Sequence, residues 1–147
     1  MFEELKRLVE HESPSHNKTS LDGLAQILAE RLAALGGKTD VVENNAGGNH
    51  VLARFTGSDQ KPPALVLGHF DTVWPIGTLA RMPVREEKGR LFGPGVFDMK
   101  ASLVMMNQAL EALQALGLKM PRPLIVLYTS DEERINACAL RRATSKV

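Results

Sequence analysis

The chain has 147 residues, 44% of them apolar and 24% charged, the length and composition of one globular domain able to bury a real core. Its 18 Lys and Arg against 17 Asp and Glu give a net charge of +1. That balance lacks the basic surplus that nucleic acid or an anionic membrane surface demands, so neither is expected as a partner.

Phe2, Leu5, Leu8 and Val9 recur at helical spacing, which predicts a short amphipathic helix over 2–11. Ser13-Pro14-Ser15 breaks it. Leu21, Leu24, Ile27, Leu28, Leu32 and Leu35 share one face of a second, longer helix, and Gly36-Gly37 supplies its stop. Residues 39–43 read as a strand, 44–49 as a turn and 51–55 as the hairpin partner. Ala64-Leu65-Val66-Leu67 is a continuous apolar run that ends in Gly68-His69-Phe70-Asp71. A hairpin is expected around 85–91. A helix follows over 101–116, with Leu103, Met106, Leu110 and Leu113 on one face. A second apolar run, Leu124 to Tyr128, ends in Thr129-Ser130-Asp131-Glu132-Glu133. Unbroken apolar strands point to a sheet covered on both faces, and the strand–helix–strand order suits a crossover unit in an α/β fold.

The composition changes after Glu133. Residues 1–133 hold 14 Lys and Arg and 17 Asp and Glu, a charge of −3, whereas 134–147 hold four basic residues and no acid, a charge of +4. The lone cysteine, Cys138, lies in that basic stretch. One cysteine excludes an internal disulfide and fits a reducing compartment, and Met1-Phe2-Glu3-Glu4 does not open like a signal peptide. No apolar run approaches the roughly 20 residues of a membrane span. A cytoplasmic location is therefore expected.

Three places combine a strand or loop end with groups that bind metal: His69-Phe70-Asp71, Asp98 within Gly93-Pro94-Gly95-Val96-Phe97-Asp98-Met99-Lys100, and Asp131-Glu132-Glu133. Imidazole with carboxylates is a zinc-type set, and ligands of α/β sheets collect beyond the carboxyl ends of the strands. Residues i and i+2 of an extended segment lie on one side, so Asp71 can accept from the His69 nitrogen that is not on the metal. Glu132 and Glu133, as neighbours in an extended segment, should point apart, one to the metal and one to the substrate as general base. Each group also has a plainer reading. His69 can be structural, Asp71 a turn or cap residue, the acidic run a solvated turn, and Lys100 a surface or helix-start lysine. Gly93-Pro94-Gly95 could be half of a dinucleotide fingerprint, but Asp98 stands where its third glycine would be and would repel a pyrophosphate. His11, His16 and His50 are read as having no role in the site.

Together these segments resemble the catalytic domain of the M20 metallopeptidase family, near its glutamate carboxypeptidase branch. The resemblance is carried by Gly68-His69-Phe70-Asp71-Thr72-Val73-Trp74-Pro75, Gly93–Lys100 and Tyr128–Glu133, with Glu10–Ser15 similar to the family's N-terminal helix end. It implies an α/β fold: part of a zinc-peptidase-like catalytic domain, a mixed sheet flanked by helices, incomplete at the C-terminus. Residues 1–133 would be the N-terminal part of that domain and 134–147 a basic tail unlike the family. The resemblance further implies that His69, Asp98 and Glu133 ligate metal, with Asp98 bridging two ions. Asp71 would orient His69, Glu132 would be the general base, and a cis peptide would join Asp98 to Met99. Two zinc ions are implied per complete site, with cobalt or manganese as substitutes.

The implied reaction is hydrolysis of an amide or peptide bond in a small peptide or N-acyl amino acid, releasing a C-terminal glutamate-like residue. An amino-acid deacylase or a dipeptidase is the alternative within the family, and a non-catalytic half-domain is the alternative outside it. The family's further acidic ligand, distal histidine and dimerisation domain have no counterpart in this sequence. The chain is thus expected to be a truncated and inactive form of a parent that can be a homodimer. Ala101 stands where many members have glycine.

Overall fold

The computed structural model describes residues 1–58 and 61–134. Apart from Arg134, the basic stretch 134–147 lies outside the described residues, and Cys138 lies there with it.

The first helix, α1, spans Phe2–Glu10, and the second, α2, spans Lys18–Ala34. Asn17 caps α2 by accepting the Ser20 N–H at 3.0 Å, and Gly36 leaves it at φ 85°, the left-handed geometry of a helix stop. Strands β1 (Lys38–Val42) and β2 (His50–Phe55) form the expected antiparallel hairpin. Strand β3 is Ala64–His69. A small hairpin follows, β4 (Arg85–Glu87) and β5 (Arg90–Phe92), turning on Lys88 and Gly89, both at positive φ. Helix α3 (Ala101–Ala115) precedes strand β6 (Leu124–Thr129).

Four strands form one mixed sheet in the order β1-β2-β6-β3. β6 runs antiparallel to β2 and parallel to β3, with His69 opposite Thr129. Strand parity gives the sheet a core face of Val51, Ala53, Phe55, Val126 and Tyr128, which packs with Leu5 and Leu8 of α1, Leu21, Leu24, Leu28 and Leu32 of α2, and Leu103 and Leu110 of α3. Glu4 ties the three helices together. Its carboxylate accepts from Arg31 Nε at 2.9 Å, Asn107 Nδ2 at 2.9 Å and Gln108 Nε2 at 3.1 Å.

The opposite face buries Val42, Leu52, Ile125 and Leu127. It does not continue across β3. Leu65 and Leu67 are 51% and 45% exposed, so the expectation of two covered faces fails for this strand. The reason is position: β3 lies at the edge of the sheet, and the parity that turns Gly68 toward α3 turns these leucines away from it.

Candidate metal centre

Parallel pairing of β3 and β6 sends both strand ends out of the same edge of the sheet. His69 is the last residue of β3, and the turn Ser130–Arg134 follows β6 directly. Asp98 arrives from the irregular turn that enters α3, where Asp98 and Met99 leave helical geometry and are joined by a cis peptide. Gly95 begins this turn at φ 72°, and a β-carbon there would lie 2.6 Å from Thr72 Cγ2. Gly68 is packed as closely, since a β-carbon on it would lie 2.9 Å from Leu103 Cδ2.

The three sequence segments therefore meet. His69, Asp98 and Glu133 each present a ligand atom, and these atoms lie within 4.8 Å of one another. His69 Nε2 is 3.1 Å from Asp98 Oδ1 and 3.8 Å from Glu132 Oε2. The donor set, one imidazole and two carboxylates at this spacing, fits a zinc-type ion. Glu132 and Glu133 do not point apart as an extended segment would demand. They sit in a turn, and the turn aims both at the His69 side of the site.

Asp71 lies behind His69 and is fully buried. Its Oδ1 is 3.3 Å from His69 Nδ1, the relation expected from the i, i+2 spacing. Its two oxygens also accept the backbone N–H groups of Glu132, at 3.2 Å, and Glu133, at 3.1 Å. Burial alone would raise the Asp71 pKa, but His69, the Ser15 hydroxyl and the Glu133 N–H outweigh it and hold the carboxyl below its ordinary value. Burial likewise pushes His69 down, yet Asp71, Asp98 and Glu132 together raise it to about 9 in the metal-free site. Glu133 is raised, first by burial and then by the neighbouring carboxylates, against the pull of His69.

Two residues differ from the sequence reading. Lys100 stands at the start of α3, as one plainer reading had it, but it is not a surface lysine. It is 1% exposed, and its Nζ donates to the carbonyls of Leu8 and His11 at 2.8 Å each. Burial pushes its pKa down to about 7, with Glu12 pulling the other way. His50 is buried beside the site loop, where its Nδ1 accepts the Ser130 N–H at 3.2 Å. Burial lowers the His50 pKa despite Asp131 and Asp71, so the neutral ring braces that loop from behind. The only sequence signal for this role is strand parity, which sets His50 one residue before Val51, itself paired with Tyr128.

Fold and site define an α/β domain with a metal-ligand cluster at the shared carboxyl edge of two parallel strands. Comparison with known proteins gives that class a family. The model of peptidase family M20/M25/M40 matches residues 65–144. Carboxypeptidase G2 of Pseudomonas sp. (strain RS-16) is 29% identical over 88% of this chain and 32% of its own length. Succinyl-diaminopimelate desuccinylase of Dechloromonas aromatica (strain RCB) is 36% identical over 76% of this chain and 30% of its own. Among solved structures, human carnosine dipeptidase 1 shares the fold, with a TM-score of 0.83 at 22% identity over 99% of this chain and 34% of that one. The M20 family metallo-carboxypeptidase Sso-CP2 of Sulfolobus solfataricus gives a TM-score of 0.70 at 26% identity, over 90% and 32%. The chain belongs to peptidase family M20/M25/M40, and it spans about a third of the length of the curated relatives it matches.

Proposed function

We propose that this sequence supplies metal ligands and a general base to a metal-dependent hydrolase of amide or peptide bonds. The observation that carries the reading is the convergence of His69, Asp98 and Glu133 within 4.8 Å, with Glu132 beside them. His69 Nε2, Asp98 and Glu133 would hold zinc, and Asp98 would reach a second ion; cobalt or manganese suits the same donors. A bound ion polarises the scissile carbonyl and lowers the pKa of water.

The chain's own residues do the rest. The Asp71 carbonyl, 3.2 Å from His69 Nδ1, and its carboxylate, 3.3 Å away, keep the His69 proton on Nδ1, which leaves Nε2 free to face the site. The Glu132 carboxylate takes a proton from the attacking water and returns it to the departing amine. In this reading residues 1–133 form the N-terminal part of a catalytic domain acting on a small peptide or N-acyl amino acid.

The relation to carboxypeptidase G2 favours release of a C-terminal residue, which the resemblance of the sequence motifs makes glutamate-like. The relation to succinyl-diaminopimelate desuccinylases favours a deacylase. Zinc content of this chain, together with hydrolysis of a C-terminal glutamate amide against an N-succinyl amino acid by a chain completed to its relatives' length, separates these readings. Protein that takes up no zinc at equilibrium overturns the metal reading, and cleavage of the succinyl substrate alone replaces the carboxypeptidase with the deacylase.

A further inference from the structure

The break between α1 and α2 is more than a loop. Residues 13–15 are annealed to the chain that leaves β3. Pro14 forms a parallel bridge with Thr72, the Thr72 N–H donates to Ser13 O at 2.8 Å, and the Ser15 N–H donates to Thr72 O at 3.2 Å. Both serines are buried, yet their hydroxyls do different things. Ser13 Oγ donates to the Phe70 carbonyl at 2.7 Å and so reinforces the backbone bridge. Ser15 Oγ lies 2.7 Å from Asp71 Oδ2 and only 3.3 Å from the Thr72 carbonyl, so its one proton goes to the carboxylate.

The geometry points to Ser15 as a positioning residue of the metal centre, acting through Asp71. This inference rests on the metal reading of His69, Asp98 and Glu133 given above. Asp71 Oδ1 serves the Glu132 N–H and faces His69 Nδ1, while Oδ2 serves the Glu133 N–H and Ser15 Oγ. A carboxylate has about four lone-pair sites; here three take hydrogen bonds, and Oδ1 also faces His69 Nδ1 at 3.3 Å, a nitrogen that itself bonds the Asp71 carbonyl at 3.2 Å. The Ser15 contact is the shortest of the four. It fixes the rotation of the carboxylate plane about Cβ–Cγ. With that plane fixed, one oxygen faces the imidazole and both stay under the two glutamate amides. Without the hydroxyl, Oδ2 keeps one longer bond, the plane is free to turn, and the orientations of His69 and the Glu132–Glu133 turn loosen together.

The test compares Ser15→Ala, Ser13→Ala and Ser15→Thr in the 147-residue chain. Three quantities are read: affinity for zinc, the visible spectrum of the cobalt-loaded protein, and the amide shifts of Glu132 and Glu133 without metal. Ser15→Ala is expected to weaken zinc binding by on the order of tenfold, the usual effect of removing a group that orients a ligand. It should also change the cobalt spectrum and move both glutamate amides. Ser13→Ala should lower stability while leaving zinc affinity and those amides in place. Ser15→Thr, which keeps the hydroxyl, should restore all three readouts.

Equal zinc affinity in Ser15→Ala and the unsubstituted protein overturns the inference, as does an equal loss in Ser13→Ala. A further measurement needs no variant. The Ser15 hydroxyl proton of the unsubstituted protein should be protected from exchange with water, and a freely exchanging proton overturns the inference even where a variant fails to fold. If the unsubstituted protein binds no zinc, the metal reading fails. The hydroxyl protection and the amide shifts then still decide whether Ser15 sets Asp71.

Discussion

Asp71 Oδ2 accepts the backbone N–H of Glu133 at 3.1 Å, so the residue that orients the histidine also holds the glutamate that stands across from it. The equivalent bond from the Glu132 N–H to Oδ1 makes Asp71 a hub for two of the three segments of the site. Asp71→Asn replaces one of those oxygens with a donor, which then faces either an N–H or a hydroxyl that also donates. The expected cost is about 1–3 kcal/mol of stability, the penalty of a buried unpaired group. Zinc affinity should fall about 10–100-fold. Urea titration and zinc competition measure the two, and an isostable variant with unchanged affinity contradicts the hub.

Glu132 and Glu133 are adjacent but should separate in a binding experiment. Glu133→Gln removes one charge from the three groups proposed to hold the ion, and zinc binding should weaken by more than about tenfold. Glu132→Gln should leave zinc binding unchanged while removing any turnover. Titration calorimetry on the two variants reads the difference, and equal losses would make both residues ligands.

Gly95 has φ 72°, and Thr72 Cγ2 stands where its side chain would begin. Gly95→Ala should cost about 1–3 kcal/mol from the left-handed backbone, with overlap against Thr72 adding to it. Thr72→Ser in the same chain removes the obstructing methyl and should recover the steric share but not the backbone share. Thermal unfolding of the single and double variants tests this, and full recovery in the double variant would refute the backbone part.

Two buried cations make opposite contributions to the pH dependence of the metal-free protein. His69 is raised above its ordinary 6.5 to about 9. Its stabilisation is complete below pH 6.5 and is lost as pH rises through about 9. Lys100 is lowered from 10.5 to about 7. Burying its ammonium costs stability below pH 7, and that cost fades as pH rises toward 10.5. Each slope approaches about 1.4 kcal/mol per pH unit at most, and between pH 7 and 9 they oppose. Stability in the presence of a chelator should therefore be nearly level over that interval. His69→Gln should turn it upward with pH, and Lys100→Met should turn it downward. Urea midpoints across pH 6–10 give the sign, and a variant that leaves the curve level removes its residue from the account.

The elements of the fold were legible because their signals are local. Leucines at helical spacing, the Gly36 stop and the two apolar runs each speak within a dozen residues. The ligand candidates were legible for a related reason: each stands at the end of such a run or in a turn between glycine and helix. Ser15, His50 and Lys100 were not, because what defines them is far away in the chain: the Asp71 carboxylate, the Ser130 amide and the carbonyls that end α1. The exposure of Leu65 and Leu67 turns on strand order. An apolar run announces a strand but not its place in the strand order, and at the edge of this sheet one face stays open. The convergence of Glu132 and Glu133 depended on a turn where extended chain was expected.

The register of β3 on β6 has a kinetic consequence. His69 faces Asp98 and Glu132 because it lies opposite Thr129, and a slip of one residue would turn its imidazole to the other side of the sheet. The pairing joins distant parts of the chain and encloses the small hairpin and α3, so the ligand set cannot assemble from any one local segment. In the proposed metal reading an ion would therefore report on this pairing, because species with helices alone would not present the three side chains together.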